Sequence, residues 1–318
     1  MRQALMFAVV CACCLAGAWG EDLPQELQSL QPVLEDETKL VEAIRAFDKT
    51  QTPLAVQEID AAKEEKDKLL SQKKMASAQQ RLALVQKAYE IGLSRYDGNA
   101  RLHNYYGELL YDGFGEQEKA VKEWNTALSL DTKLANAHNN LGLHYFHTGS
   151  YRLGIQRMDD ALRLEPDNPD FLYNMAQIYL VHWPQIQDIR GWSAKQVYKQ
   201  AMKYSKKAAK LAPTDYNLVM DYAVNFFAGQ RCGVKVSWKK AAEAWQTARE
   251  AAPTDEDRFY TWLNEARAWM AGENNKQAIL CLNAALTLKP DNELAKNLLK
   301  KISDEANKAS GKRKNAGR

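Results

Sequence analysis

Disulfide scaffolds, redox exchangers and covalent haem carriers need cysteines in numbers and spacings that this chain lacks. It has five, of which Cys11, Cys13 and Cys14 lie near its start, and beyond residue 20 no CxxC remains. That leaves Cys232 in an expected loop and Cys281 in an expected helix; separate thiols are the expectation, a single bridge the alternative. Proline is sparse, nine in 318 residues, and so interrupts few helices. Gly113-Phe114-Gly115 has neither the third glycine nor the preceding strand of a dinucleotide loop. An excess of one charge is missing too: 43 Lys and Arg face 40 Asp and Glu. Basic residues are concentrated at the end, in Lys308, Lys312, Arg313, Lys314 and Arg318, which leaves the rest net negative and without an electrostatic footprint for nucleic acid.

What is present describes a folded chain, since 46% hydrophobic residues suffice to bury a core. Arg2 followed by the uncharged apolar run 4–18 and Ala18-Trp19-Gly20 reads as an export signal over 1–20, cleaved before Glu21. An uncleaved anchor is one alternative, although a transmembrane helix needs about 20 apolar residues. Lipid attachment at Cys13 is another. The expected location is a periplasm or a secretory route, membrane-associated if the signal is retained.

From 97 to 292 the sequence repeats. Ala161-Leu-Arg-Leu-Glu-Pro166-Asp-Asn168 returns as Ala285-Leu-Thr-Leu-Lys-Pro290-Asp-Asn292. Leu141, Gly142 and Tyr145, then Gly154, Met158, Ala161 and Pro166, describe two helices joined by a turn, with small residues at their crossing. The pairs Ala120 and Ala127, Gly154 and Ala161, Ala201 and Ala208, Ala241 and Ala248, and Ala278 and Ala285 are each seven residues apart. Between the first-helix small residue and the closing proline, Gly142 to Pro166 spans 24 residues, whereas Ala176 to Pro213 spans 37 and Ala223 to Pro253 spans 30. Insertions near 181–193 and 230–238 account for the excess.

These residues resemble the tetratricopeptide repeat family. The resemblance implies an all-α, right-handed solenoid of helix-turn-helix units. Five repeats would occupy 97–292, an N-terminal helical cap with a degenerate repeat 21–96, a capping helix 293–308, and a disordered basic tail 309–318. In the family, an asparagine on the first helix often contacts the backbone of an extended ligand. The corresponding places and their neighbours here are Asn104, Asn139, Asn140, Tyr173, Asn174, Gln177, Asp221, Asn264 and Arg267. An amide pairs with a peptide unit because it offers donor and acceptor together; equally, it can tie adjacent helices. The basic residues with which some members grip acidic chaperone tails are missing, Arg101 and Arg267 apart.

The insertions bring Trp183, Trp192 and Trp238, which either anchor a partner along one edge or fold back on helix ends. His182 and Cys232 are the one nucleophile-and-base pair the insertions offer, with no motif-placed acid behind the histidine. His138, His144 and His147 share a helix without an evident further metal ligand. The expectation is therefore a non-catalytic scaffold for a protein or peptide, without cofactor or metal, with membrane contact at most peripheral through the tail. Docking by the tryptophan edge is the alternative, and catalysis by His182 with Cys232 a remote one.

Overall fold

A computed structural model describes residues 23–315, so the expected signal at 1–20 lies outside it. Among the described residues every regular element is helical, and no helix is long and apolar enough to cross a membrane. The chain divides into two compact units between Gln117 and Glu118, well after the boundary expected at 96.

The first unit opens with a 3-10 helix, Gln25–Val33. Two long helices follow, α1 (Glu37–Glu64) and α2 (Lys68–Arg95), packed against each other. Asp36 caps α1 by accepting from the Lys39 amide, and Asp67 caps α2 by accepting from those of Leu69 and Leu70. The charge run 63–68 thus contains the turn between α1 and α2. Leu40, Ile44, Leu82, Val85 and Tyr89 form the core, roofed by Leu27 and Leu30, while Leu54, Leu69 and Leu70 remain exposed.

α3 (Ala100–Glu108) and a π-helical turn, Leu109–Gly113, complete the unit. Leu102 and Leu109 join its core, which moves the first helix of the first repeat into the N-terminal unit. A buried polar network accompanies the apolar contacts. Asp48 accepts from Tyr89 Oη (2.6 Å), Arg45 (2.8 Å) and Thr52 (2.6 Å), and Arg45 also reaches Glu108 (2.6 Å).

The second unit starts with α4 (Gln117–Leu130). Helix pairs follow: α5 (Ala135–His147) with α6 (Tyr151–Leu164), then α7 (Pro169–Val181), the inserted α8 (Trp183–Arg190), and α9 (Ala194–Leu211). α10 (Tyr216–Val224) runs into a 3-10 stretch, Asn225–Cys232, before its partner α11 (Trp238–Glu250). α12 (Asp255–Ala271) pairs with α13 (Asn275–Leu288).

α14 (Glu293–Asn315) packs on α13 and continues past 308 into the segment expected to be a disordered tail. Its Ile302 is buried, whereas Leu294 is exposed.

The recurrent phrase does two jobs. Pro166 and Pro290 end one helix, and Asn168 and Asn292, two residues on, cap the next by accepting backbone N–H groups. Asp215 after Pro213 and Thr254 after Pro253 cap α10 and α12 in the same way. At the α5–α6 crossing a Cβ on Gly142 would lie 2.5 Å from Met158 Cγ, and one on Gly154 would lie 2.7 Å from the Phe146 ring. Hydrogen is all that fits there.

Candidate functional site

The first helices of the pairs carry a run of amides and acids, and side chains of the protein itself take up most of their hydrogen-bonding groups. Asn139 on α5 is buried and its Oδ1 accepts from Asn174 Nδ2 on α7 at 3.2 Å. One turn along α7, Gln177 donates through Nε2 to Asp221 Oδ1 on α10. The other oxygen of Asp221 accepts from Ser205 Oγ at 2.7 Å and Asn225 Nδ2 at 2.8 Å. Burial pushes the Asp221 carboxyl up to about 6, against the pull of these donors. Tyr173, half-buried on α7, has its phenol raised by burial and then by nearby Asp221.

Asn264 on α12 is buried, donating to Tyr260 O at 2.9 Å and accepting from Arg267 at 3.0 Å. In the first unit, Asn104 is fully buried and donates to Glu108 Oε1 at 2.9 Å. Burial therefore takes Asn104, Asn139, Asp221 and Asn264 out of the exposed face that sequence position suggested, and makes them internal ties. Asn140, Tyr173, Asn174 and Gln177 are half-buried and Arg267 is exposed.

Ser205 explains a departure from the repeat pattern. The third repeat has this small hydroxyl where an aromatic is expected, and the fourth has Asp221 where the third has an asparagine. The structure brings the two together: a buried carboxylate needs donors and room, and Ser205 supplies both.

Beside this network lies a cleft of about 530 Å³. Gln177, Leu180 and Val181 from α7 and Trp183 from the start of α8 form one side; Val224, Asn225, Phe227, Ala228 and Arg231 from the end of α10 and the stretch after it form the other. Outside this lining, Arg267 of α12 has its guanidinium carbon 5.5 Å from the centre of the Phe227 ring. Gln177, expected in the groove, and Trp183, expected on an edge, thus line one cleft. Asn225, Phe227 and Arg231 had no sequence signal beyond the extra length of the fourth repeat.

The inserted α8 is well anchored. Pro184 occupies its first turn and Gly191, at a φ of +68°, ends it. Arg190 grips Asp159 of α6 at 2.6 and 2.7 Å and the Tyr179 hydroxyl at 3.2 Å. Trp192 packs edge-on against Tyr179, ring centres 6.2 Å apart, and Trp238 lies tilted against Phe227 at 5.6 Å. Trp183, Trp192 and Trp238 are all half-buried against local apolar clusters, the fold-back arrangement; of the three, Trp183 lines the cleft.

His182 and Cys232 have different surroundings. The His182 ring lies 5.3 Å from both Phe146 and Tyr151, and burial, then His147, lowers its pKa. Cys232 is buried in the apolar cluster around Tyr198, where burial raises its thiol, opposite to the activation of a nucleophile. Cys281 lies in a separate cluster, and both thiols are free. His138 is anchored to Thr132 O at 3.1 Å and to Arg157 at 3.4 Å. Among the described residues no group of three or more His, Cys, Asp or Glu is placed to hold a metal ion.

Residues 107–149 match the family model described as TPR repeat. No curated protein matches the sequence. Among solved structures, that of YrrB, described as a TPR protein with an unusual peptide-binding site, is 21% identical and superposes with a TM-score of 0.50 over 68% of this chain and 99% of its own. The C-terminal part of a TPR repeat-containing protein from Cytophaga hutchinsonii is 18% identical, with a TM-score of 0.53 over 86% and 99%. At these identities the likeness is one of fold. The family model thus identifies a TPR repeat at 107–149, and the paired helices and these superpositions give the chain the fold of a TPR solenoid.

Proposed function

We propose that the second unit is a protein-interaction scaffold that holds an extended polypeptide along α5, α7, α10 and α12, centred on the cleft beside α8. The carrying observation is that cleft, where apolar side chains stand beside the half-buried amide of Gln177. Apolar walls with a few placed polar groups are the usual composition of a binding site. YrrB is described as having a peptide-binding site, and the shared fold supports the reading.

A photo-crosslinking residue placed at Asn174 or Val224, in protein expressed in its native cells, is expected to capture a polypeptide that mass spectrometry identifies. The same residue at Leu280, exposed on α13, is the control. Equal capture from all three positions, or none from Asn174 and Val224, would sink the proposal.

The proposed location is outside the cytosol, on the basic and then apolar start of the sequence. N-terminal sequencing of the native protein is expected to begin at Glu21, and an intact Met1 overturns cleavage.

A further inference from the structure

One buried carboxylate orients the polar floor of the cleft. Asp221 is 8% exposed, and three donors converge on it. Its Oδ1 accepts from Gln177 Nε2, while its Oδ2 accepts from Ser205 Oγ and Asn225 Nδ2. Asn225 Nδ2 also donates to Ser205 Oγ at 3.1 Å, so both of its N–H groups are committed inward. Gln177 and Asn225 line the cleft, and no donor among the described residues reaches Gln177 Oε1 or Asn225 Oδ1. An ionised carboxylate only accepts. It therefore holds both amides with N–H inward, and their carbonyl oxygens are what remains for a partner.

Protonation reverses one of the two. Asp221 Oδ2 already receives two donors and Oδ1 one, so the proton enters at Oδ1, against Gln177 Nε2. Two donors then confront each other. The last torsion of glutamine is broad and roughly two-fold, so the amide turns over at small cost and accepts through Oε1, leaving Nε2 to the cleft. Asn225, tied to Ser205 as well, keeps its orientation. Burial favours the neutral acid and brings the midpoint up to about 6. The surroundings do not titrate there. Tyr173 of α7 faces Asp221 with its phenol raised, and α9 presents Ser205. α11 meets α10 through alanines and Trp245, its Glu243 acting on Tyr222, and Arg231 of the cleft stays charged.

We propose that Asp221 is a positioning residue that sets the hydrogen-bonding polarity of the cleft through Gln177: ionised, it presents a carbonyl oxygen to a backbone N–H of the bound segment, and protonated, it withdraws that acceptor. The inference rests on the groove-binding reading and adds its regulation. Selection for N–H groups is thus governed by a side chain that the ligand does not touch.

Two measurements on the full chain test this. With isotope-labelled aspartate and glutamine, NMR follows the Asp221 carboxyl carbon and the Gln177 side-chain amide as pH is lowered, Gln177→Met assigning the amide signal. The two are expected to share one midpoint, and an amide unmoved while Asp221 takes up its proton overturns the switch. The second measurement titrates a capped, rhodamine-labelled peptide alternating leucine and glycine, and its backbone N-methylated analogue, by fluorescence polarisation. Neither peptide backbone titrates in this range. The unmethylated peptide is expected to bind about fivefold tighter than its analogue at about pH 7.5 and equally at about pH 5. Asp221→Asn and Gln177→Met are each expected to abolish this pH dependence, with circular dichroism checking that they fold; Gln177 is only half-buried, so its variant carries the test if the other does not. A preference that is the same at both pH values overturns the proposal and leaves groove binding standing. If the amide turns over yet neither peptide binds, the groove-binding reading falls and the ligand assignment with it.

Discussion

Gly154 and Asp221 show two ways in which one position constrains this protein. At Gly154 the constraint is steric: an added methyl meets the Phe146 ring at 2.7 Å and the Gly142 carbonyl oxygen at 3.1 Å. Gly154→Ala is expected to destabilise the second unit by about 1–3 kcal/mol, as overpacking does, measured as a lower urea midpoint. At Asp221 the constraint is electrostatic. Its folded pKa of about 6 lies above the ordinary 3.8, so the folded state holds the proton more tightly. That contribution to stability is complete below about pH 4 and is lost as pH rises through about 6. Asp221→Asn is expected to remove it, so the stability gap between variant and parent should change by up to about 3 kcal/mol between pH 4 and 7. Urea titrations at the two pH values read the difference; a gap independent of pH would refute the burial argument. The pairing of Asp221 with Ser205 was half legible, because each breaks the repeat pattern. That the two departures compensate each other was not, since sixteen residues of chain separate them.

Among the elements, α8 is the most individual. Its excess length was legible in the sequence as an insertion near 181–193, whereas the helix that Pro184 starts and Gly191 stops was not. An eight-residue helix has little intrinsic stability, so tertiary contacts must hold it. Arg190 is the principal one. Arg190→Ala removes charged hydrogen bonds to Asp159 and the bond to Tyr179, and is expected to cost about 1.5–3 kcal/mol locally. Hydrogen exchange over 183–190 should accelerate while α12 and α13 keep their protection; unchanged exchange would show that apolar packing alone holds α8. Because Trp183 at the start of α8 lines the cleft, the same variant should weaken crosslinking from Val224.

On the scale of the repeat stack, each helix pair leans on its neighbours, and stability is close to a sum of nearest-neighbour terms. Ile302 on α14 is 1% exposed and joins the cluster of Phe259, Leu282 and Ala285. Ile302→Ala is expected to cost about 2–5 kcal/mol as a buried large-to-small change. Loss of exchange protection should begin at α13 and α14 and leave α5 and α6 protected; uniform loss would show that the stack unfolds as one block. The length of α14 was misjudged from sequence because its final turns lack apolar periodicity. That pattern reports burial of a face, and a helix can continue without it.

The sequence by itself determined the paired helices of the repeats and the breaks between them. Each depends on short-range physics: glycine and alanine where backbones cross, proline where a helix must end, and asparagine or aspartate where the next must be capped. The tertiary structure alone decided which polar side chains became internal ties and which stayed on the surface. It turned Asn139, Asp221 and Asn264 inward. It also brought Trp183 together with Phe227 and Arg231, more than forty residues further along the chain, beside Gln177 in one cleft. No local pattern encodes such a meeting, because it depends on how the α7–α9 and α10–α11 pairs pack and on the path each insertion takes between them.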